Sequence, residues 1–160
     1  RWQAEASVSE TGDGGAIDKR IYHFDEGVLS LPRGFKDRST HTLEWTIDNS
    51  STVVLVLQRE RLGWGTFDDF VNKETHEYAS EFLGFRTDAT EYPDPFDGKL
   101  PLRRVAFRYK GDHEVLYHHQ VFVFSAPLVL VFTVKSKAEH RGRADQLMKE
   151  ALAGLRFRED

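Results

Sequence analysis

The chain has 160 residues, 39% of them hydrophobic and 12% aromatic, which is too apolar for a disordered polymer and suits a single core. Its 22 basic and 26 acidic residues leave a net charge of −4, which excludes a globally basic nucleic-acid binder. Cysteine is absent, and with it disulfides, thiolate nucleophiles and Cys-ligated metals.

Residues 1–20 are polar and carry a glycine-rich centre, Thr11, Gly12, Asp13, Gly14 and Gly15; they read as an N-terminal arm ahead of one domain over 21–160. The first residues show no apolar run of a secretory signal, and the most apolar window, 126–133, is eight residues long. A spanning helix needs roughly 20. The expectation is a cytoplasmic protein without stable membrane insertion.

Residues 21–24 and 28–31 are short apolar runs around Asp25, Glu26 and Gly27, a hairpin signal. Leu43 and Trp45 alternate with Thr42 and Glu44, as a half-buried strand does, and Asp48, Asn49, Ser50 and Ser51 turn the chain. Residues 52–57 are apolar on both parities, so that strand should be covered on both faces. Thr66 with Asp69 three residues on predicts a capped helix start. Phe67, Phe70, Val71, Tyr78, Ala79 and Phe82 trace one helical face up to Gly84. Pattern returns to strand at Phe85, breaks at Pro93 and Pro95, and then gives a long hairpin over 102–109 and 115–124. A last strand over 128–134 precedes a helix over about 139–153. No βαβ alternation occurs, so the expected class is α+β: a mainly antiparallel sheet of about six to eight strands with two principal helices. Both helices are expected on one face, with an apolar groove on the other.

Catalytic and metal motifs fail on spacing. His113, Glu114 and His118 miss the metalloprotease pattern by one residue and lie on a strand, where positions 113 and 118 point to opposite faces. His76 and Glu77 are followed four residues after His76 by Ser80 rather than histidine. Asp68 and Asp69 cap a helix, Asp94 and Asp97 sit in a loop, and no Gly-x-Ser-x-Gly elbow occurs. No catalytic residue, metal site or cofactor is expected, and the chain reads as non-enzymatic. The informative excess is apolar: Val54 and Val56 share a parity with Gln58, and Leu116, His118, Gln120, Phe122 and Phe124 share another, more than two helices on the opposite face would cover. A dimer seam, a loop cover or a binding groove each accounts for such a surplus.

Residues 22–37, with Glu26-Gly27, then Leu31-Pro32-Arg33-Gly34-Phe35-Lys36-Asp37, followed by Gln58-Arg59-Glu60-Arg61-Leu62 and Gly65-Thr66-Phe67-Asp68-Asp69-Phe70, resemble the DcrB-like group with a PsbP-like fold. Within that group the sequence is most similar to the Eag chaperones of type VI secretion effectors, over about residues 21–157. The resemblance implies a homodimeric chaperone that shields the N-terminal transmembrane segment of a PAAR/Rhs-type effector and loads it on the secretion machine, with indirect contact to the VgrG spike. It also implies a client groove at Leu43, Trp45, Val54, Val56, Gln58, Leu116, His118, Gln120 and Phe122. The alternative within the same fold is a protein-binding or scaffold module at the cell envelope.

Overall fold

The computed structural model describes residues 3–9, 19–24, 26–34, 38–48 and 51–158. They fall into two compact units, 1–39 and 40–160. The first unit is a three-stranded antiparallel sheet of β1 (Gln3–Ser9), β2 (Lys19–Phe24) and β3 (Gly27–Pro32), in that order. Pairing of Tyr22 with Leu29 and of Phe24 with Gly27 closes the hairpin the sequence signals. The expected polar arm over 1–20 is corrected in part. Residues Gln3–Ser9 form a strand whose backbone pairs with β2, so hydrogen bonding to a ready edge supplies the order that composition does not. The division between units also falls after Ser39 rather than at residue 20. Trp2, Thr11 to Gly15, Asp25, Phe35 to Asp37, Asn49 and Ser50 lie outside the described residues.

The second unit carries a six-stranded antiparallel sheet: β4 (Thr40–Asp48), β5 (Ser51–Arg61), β6 (Arg86–Glu91), β7 (Leu102–Lys110), β8 (Val115–Ser125) and β9 (Leu128–Lys137), in the spatial order β4-β5-β9-β8-β7-β6. Helix α1 (Phe67–Glu81) links β5 to β6, and α2 (Arg141–Gly154) closes the chain after a 3-10 turn at Ala138–His140. The capping box at the start of α1 is complete: Thr66 Oγ1 accepts from the Asp69 backbone N–H at 3.2 Å, and Asp69 Oδ2 accepts from the Thr66 N–H at 2.9 Å. Gly84, at φ +67°, lets the chain leave α1 where an added Cβ would meet the Lys110 side chain at 3.0 Å. The class is therefore α+β with an antiparallel sheet and two helices, as the sequence predicts. Among the described residues no helix is long and apolar enough to cross a membrane.

The layering differs from expectation. Ala144 and Met148 of α2 pack with Val53, Leu55, Val121, Val123, Phe132 and Val134 on one face. Phe67 and Val71 of α1 pack with Val105, Phe107, Phe122, Val129 and Val131 on the other. The two helices thus cover opposite faces. The physical reason lies in β8, which is apolar on both parities and sits inside the sheet, so each face needs its own cover. Two helices on one face would have left Phe107 and Phe122 in water.

Candidate functional site

Register fixes which side chains share a face. One row across the sheet runs Thr42, Val56, Thr133, Gln120, Val105, Thr90, and the next runs Glu44, Val54, Lys135, His118, Phe107, Thr87. Both lie on the α1 face. Val54, Val56, Gln58, Leu116, His118, Gln120 and Phe122 belong to this face by alternation. Leu43 and Trp45, opposite Leu55 and Val53, belong to the α2 face, where the Arg143 guanidinium lies 5.5 Å from the Trp45 ring centroid. Placing Leu43 and Trp45 in one groove with the rest is thereby corrected: the β4 register turns them to the other side.

Helix α1 divides the remaining residues. Over the β7–β8 half it forms an aromatic lid: Phe67 stacks on Phe124 at 5.3 Å, Tyr78 on Phe107 at 5.2 Å, and Phe82 on Tyr109 at 4.1 Å. His118, Gln120 and Phe122 lie beneath and are buried, at 4%, 1% and 0% exposure. They are core in this conformation, which corrects the expectation that they line an open groove. Leu116, half-buried at the start of β8, is positioned beside Gly111. Over the β4–β5 half α1 gives no such cover. Val54, Val56 and Gln58 are half-buried rather than buried, although β5 is an inner strand of the sheet.

The polar groups beneath α1 are unusually placed. Gln120 Nε2 donates to the Tyr78 hydroxyl and to Thr133 Oγ1, both at 3.1 Å, while its Oε1 has no partner. His118 Nε2 shares a hydrogen bond with the Tyr109 hydroxyl at 2.9 Å, and its Nδ1 has none. Burial, helped by the charge of Lys135, pushes the His118 imidazole down to about 3, so it is neutral at physiological pH. Burial likewise raises the Tyr78 and Tyr109 phenols, with the Gln120 hydrogen bond opposing the shift at Tyr78.

On the α2 face a second network joins three elements, and the sequence did not point to it. Arg104 Nε donates to His119 Nε2 at 2.7 Å, and Tyr117 donates to Asp145 Oδ1 at 2.6 Å. Asp145 Oδ1 also lies 2.8 Å from His119 Nδ1, but off the axis needed for a hydrogen bond. The Arg104 contact assigns the ring proton to Nδ1. Burial and then Arg104 lower the His119 pKa against the pull of Asp145; burial and Asp145 hold the Tyr117 phenol far above its usual range. The only sequence signal was that His119 shares a strand parity with Tyr117; its partners are 15 and 26 residues away in sequence and meet only in the fold.

Two hollows flank these networks. A crevice of about 310 Å³ between α1 and β6 is lined by Val71, Asn72, His76, Thr87, Thr90 and Arg103 among others, and one of about 350 Å³ on the α2 face has Ala89 and Ala106 among its lining residues with Arg104, Arg108, Arg141 and Asp145. Among the described residues no group of three His, Cys, Asp or Glu side chains is placed to hold a metal ion.

This geometry defines an antiparallel α+β domain with one helix on each face of the sheet and, on the α1 face, a half-buried strip at Val54, Val56 and Gln58. A family model described as DcrB matches residues 26–154, and the chain belongs to the DcrB family. A solved structure of a Pseudomonas aeruginosa protein of unknown function, described as a candidate regulator, is similar at a TM-score of 0.72 and 19% identity, covering 89% of this chain and 99% of that one. That likeness shows a shared fold. No curated protein matches the chain.

Proposed function

We propose that this DcrB-family domain is a non-enzymatic binding protein that lays an apolar helical segment of a client along the open β4–β5 half of its sheet, beside α1. The observation that carries the reading is the strip of Val54, Val56 and Gln58: two apolar side chains and an amide on an inner strand, only half-buried on the half-face where α1 gives no aromatic cover. Gln58 supplies an amide that can bond the hydroxyl or backbone groups of a small-residue helix, and Thr40 and Thr42 extend the same face. The sequence resemblance to the Eag chaperones names the client class: the N-terminal transmembrane segment of a type VI secretion effector, held in the cytoplasm by a homodimer before delivery. Burying such a segment keeps its roughly 20 apolar residues out of water.

The test is co-expression with the N-terminal membrane-spanning segment of an effector encoded beside this chain, followed by co-purification. Wild type is expected to retain the segment. Val56→Asp is expected to cut retention at least tenfold while circular dichroism and the unfolding midpoint stay as in wild type, because Val56 is half-buried on an open face. Full retention by a folded Val56→Asp protein, or none by wild type, overturns the proposal.

A further inference from the structure

The two ends of α1 are held unequally. At the N-terminal end, the capping box is closed, Phe67 and Val71 are buried, and Arg103 Nε grips the Asp68 carboxylate at 2.6 Å. The C-terminal end carries Glu74, Glu77 and Glu81. Glu74 and Glu77 are three apart and Glu77 and Glu81 four apart, so like charges stack along one side of the helix. They also lie toward the end where the helix dipole is negative, and the last turn has no basic residue to offset it. None of the three carboxylates has an ion-pair partner among the described residues; Lys73, the nearest cation in sequence, sits over the Trp64 ring at 5.6 Å. Burial together with Glu77 and Glu60 raises the Glu74 pKa, a further sign that charge is poorly accommodated there.

Beneath this half of the helix lie the two orphaned polar atoms, His118 Nδ1 and Gln120 Oε1. Water reaching them on opening would supply the partners the closed state lacks. Tyr78 and Phe82 hold the half-helix down by stacking and by the Gln120 hydrogen bond; beyond it the carbonyl of Leu83, a residue 76% exposed, accepts from the Lys110 N–H at 2.8 Å, and the left-handed Gly84 leads to Phe85, which packs on Phe107 at 5.0 Å.

We propose that residues 74–82 of α1 form a hinged cover that opens about the pinned N-terminal half of the helix, exposing the His118–Gln120 floor next to the Val54–Val56 strip. The opening is a property of the chain alone; its use, to widen the half-face for a client helix, rests on the binding proposal above. The cover joins an uncovered strip to a covered one, so the client surface has a resting width and an open width.

Hydrogen exchange on the full chain tests it. Local opening sets the exchange rate, so amides of 76–82 are expected to exchange at least tenfold faster than those of 145–152 in α2, a helix of nearly equal length. Glu81→Lys puts a cation at the negative helix end and removes a repulsion with Glu77; it is expected to slow exchange of 76–82 at least threefold and leave 145–152 unchanged. Equal rates in the two helices, or no response to Glu81→Lys, overturn the cover. Fast exchange in a chain that retains no membrane-spanning segment sinks the binding proposal and leaves the cover standing. Retention of the segment with slow exchange does the reverse.

Discussion

Gln120→Leu is expected to leave stability within about 1 kcal/mol of wild type, despite a side chain only 1% exposed. The native amide makes two neutral hydrogen bonds, to Tyr78 and Thr133, contributing about 1 kcal/mol each. Against them stands the unpaired Oε1, whose burial costs about 1–3 kcal/mol. Leucine of similar volume forfeits the bonds and removes the orphan but takes the Gln120 partner from the buried Thr133 hydroxyl, a cost offset by about 1 kcal/mol from its extra apolar surface. Turning the amide over exchanges which end is orphaned and leaves the sum unchanged. Gln120→Ala loses the same bonds but leaves a hole under α1, so it should cost about 2 kcal/mol or more. Urea unfolding followed by circular dichroism, with midpoints compared at constant slope, separates these outcomes. Destabilisation of Gln120→Leu by more than about 2 kcal/mol would show the oxygen to be satisfied in the native state and would refute the reasoning for the floor beneath α1.

Two further outcomes follow from the geometry. His118 is held neutral to about pH 3 while the unfolded imidazole titrates near 6.5, so the unfolded state binds more protons between those values and stability falls as pH drops through that window. The contribution approaches about 1.4 kcal/mol per pH unit once the unfolded histidine is protonated, and His118→Phe should flatten the decline in unfolding midpoint between pH 6.5 and 5, before carboxylates titrate; an unchanged slope would count against a buried neutral ring. Thr66→Ala opens the capping box and should cost about 1 kcal/mol in thermal or urea unfolding, concentrated in α1 exchange rates; an unaltered midpoint would place that helix start outside the cooperative core.

Much of the fold was readable because local rules and tertiary packing agree. Thr66 and Asp69 marked the start of α1, Gly84 marked its end, and the apolar runs at 102–109, 115–124 and 128–134 became β7, β8 and β9. The side each helix takes was not readable. Phe67, Phe70, Val71, Tyr78 and Phe82 announce an apolar helical face without saying which sheet face receives it. Strands with apolar residues on both parities, such as β8, accept a helix from either direction. The candidate site suffered from the same gap. Parity grouped Val54, Val56 and Gln58 correctly, yet Gln120 and His118 on that same face went under α1, because their cover comes from Tyr78 and Phe82, some forty residues earlier. Leu43 and Trp45 alternate as a strand should, but alternation is blind to which parity faces which side until β4 pairs with β5. The Arg104–His119–Asp145–Tyr117 network was hidden for a related reason: each member is unremarkable within its own segment.

The sheet order also carries a temporal consequence. Strands β7, β8 and β9 follow one another through short connections and form a meander, whereas β5 must find β9 across everything between them, Arg61 pairing with Leu128. Closing that long loop is entropically slower than zipping the meander. The hairpin of β4 and β5 therefore docks late in folding, onto a platform already built. The strip of Val54 and Val56 is synthesised before its β9 neighbour, so competence to hold a partner arrives only once the later strands have been made and paired.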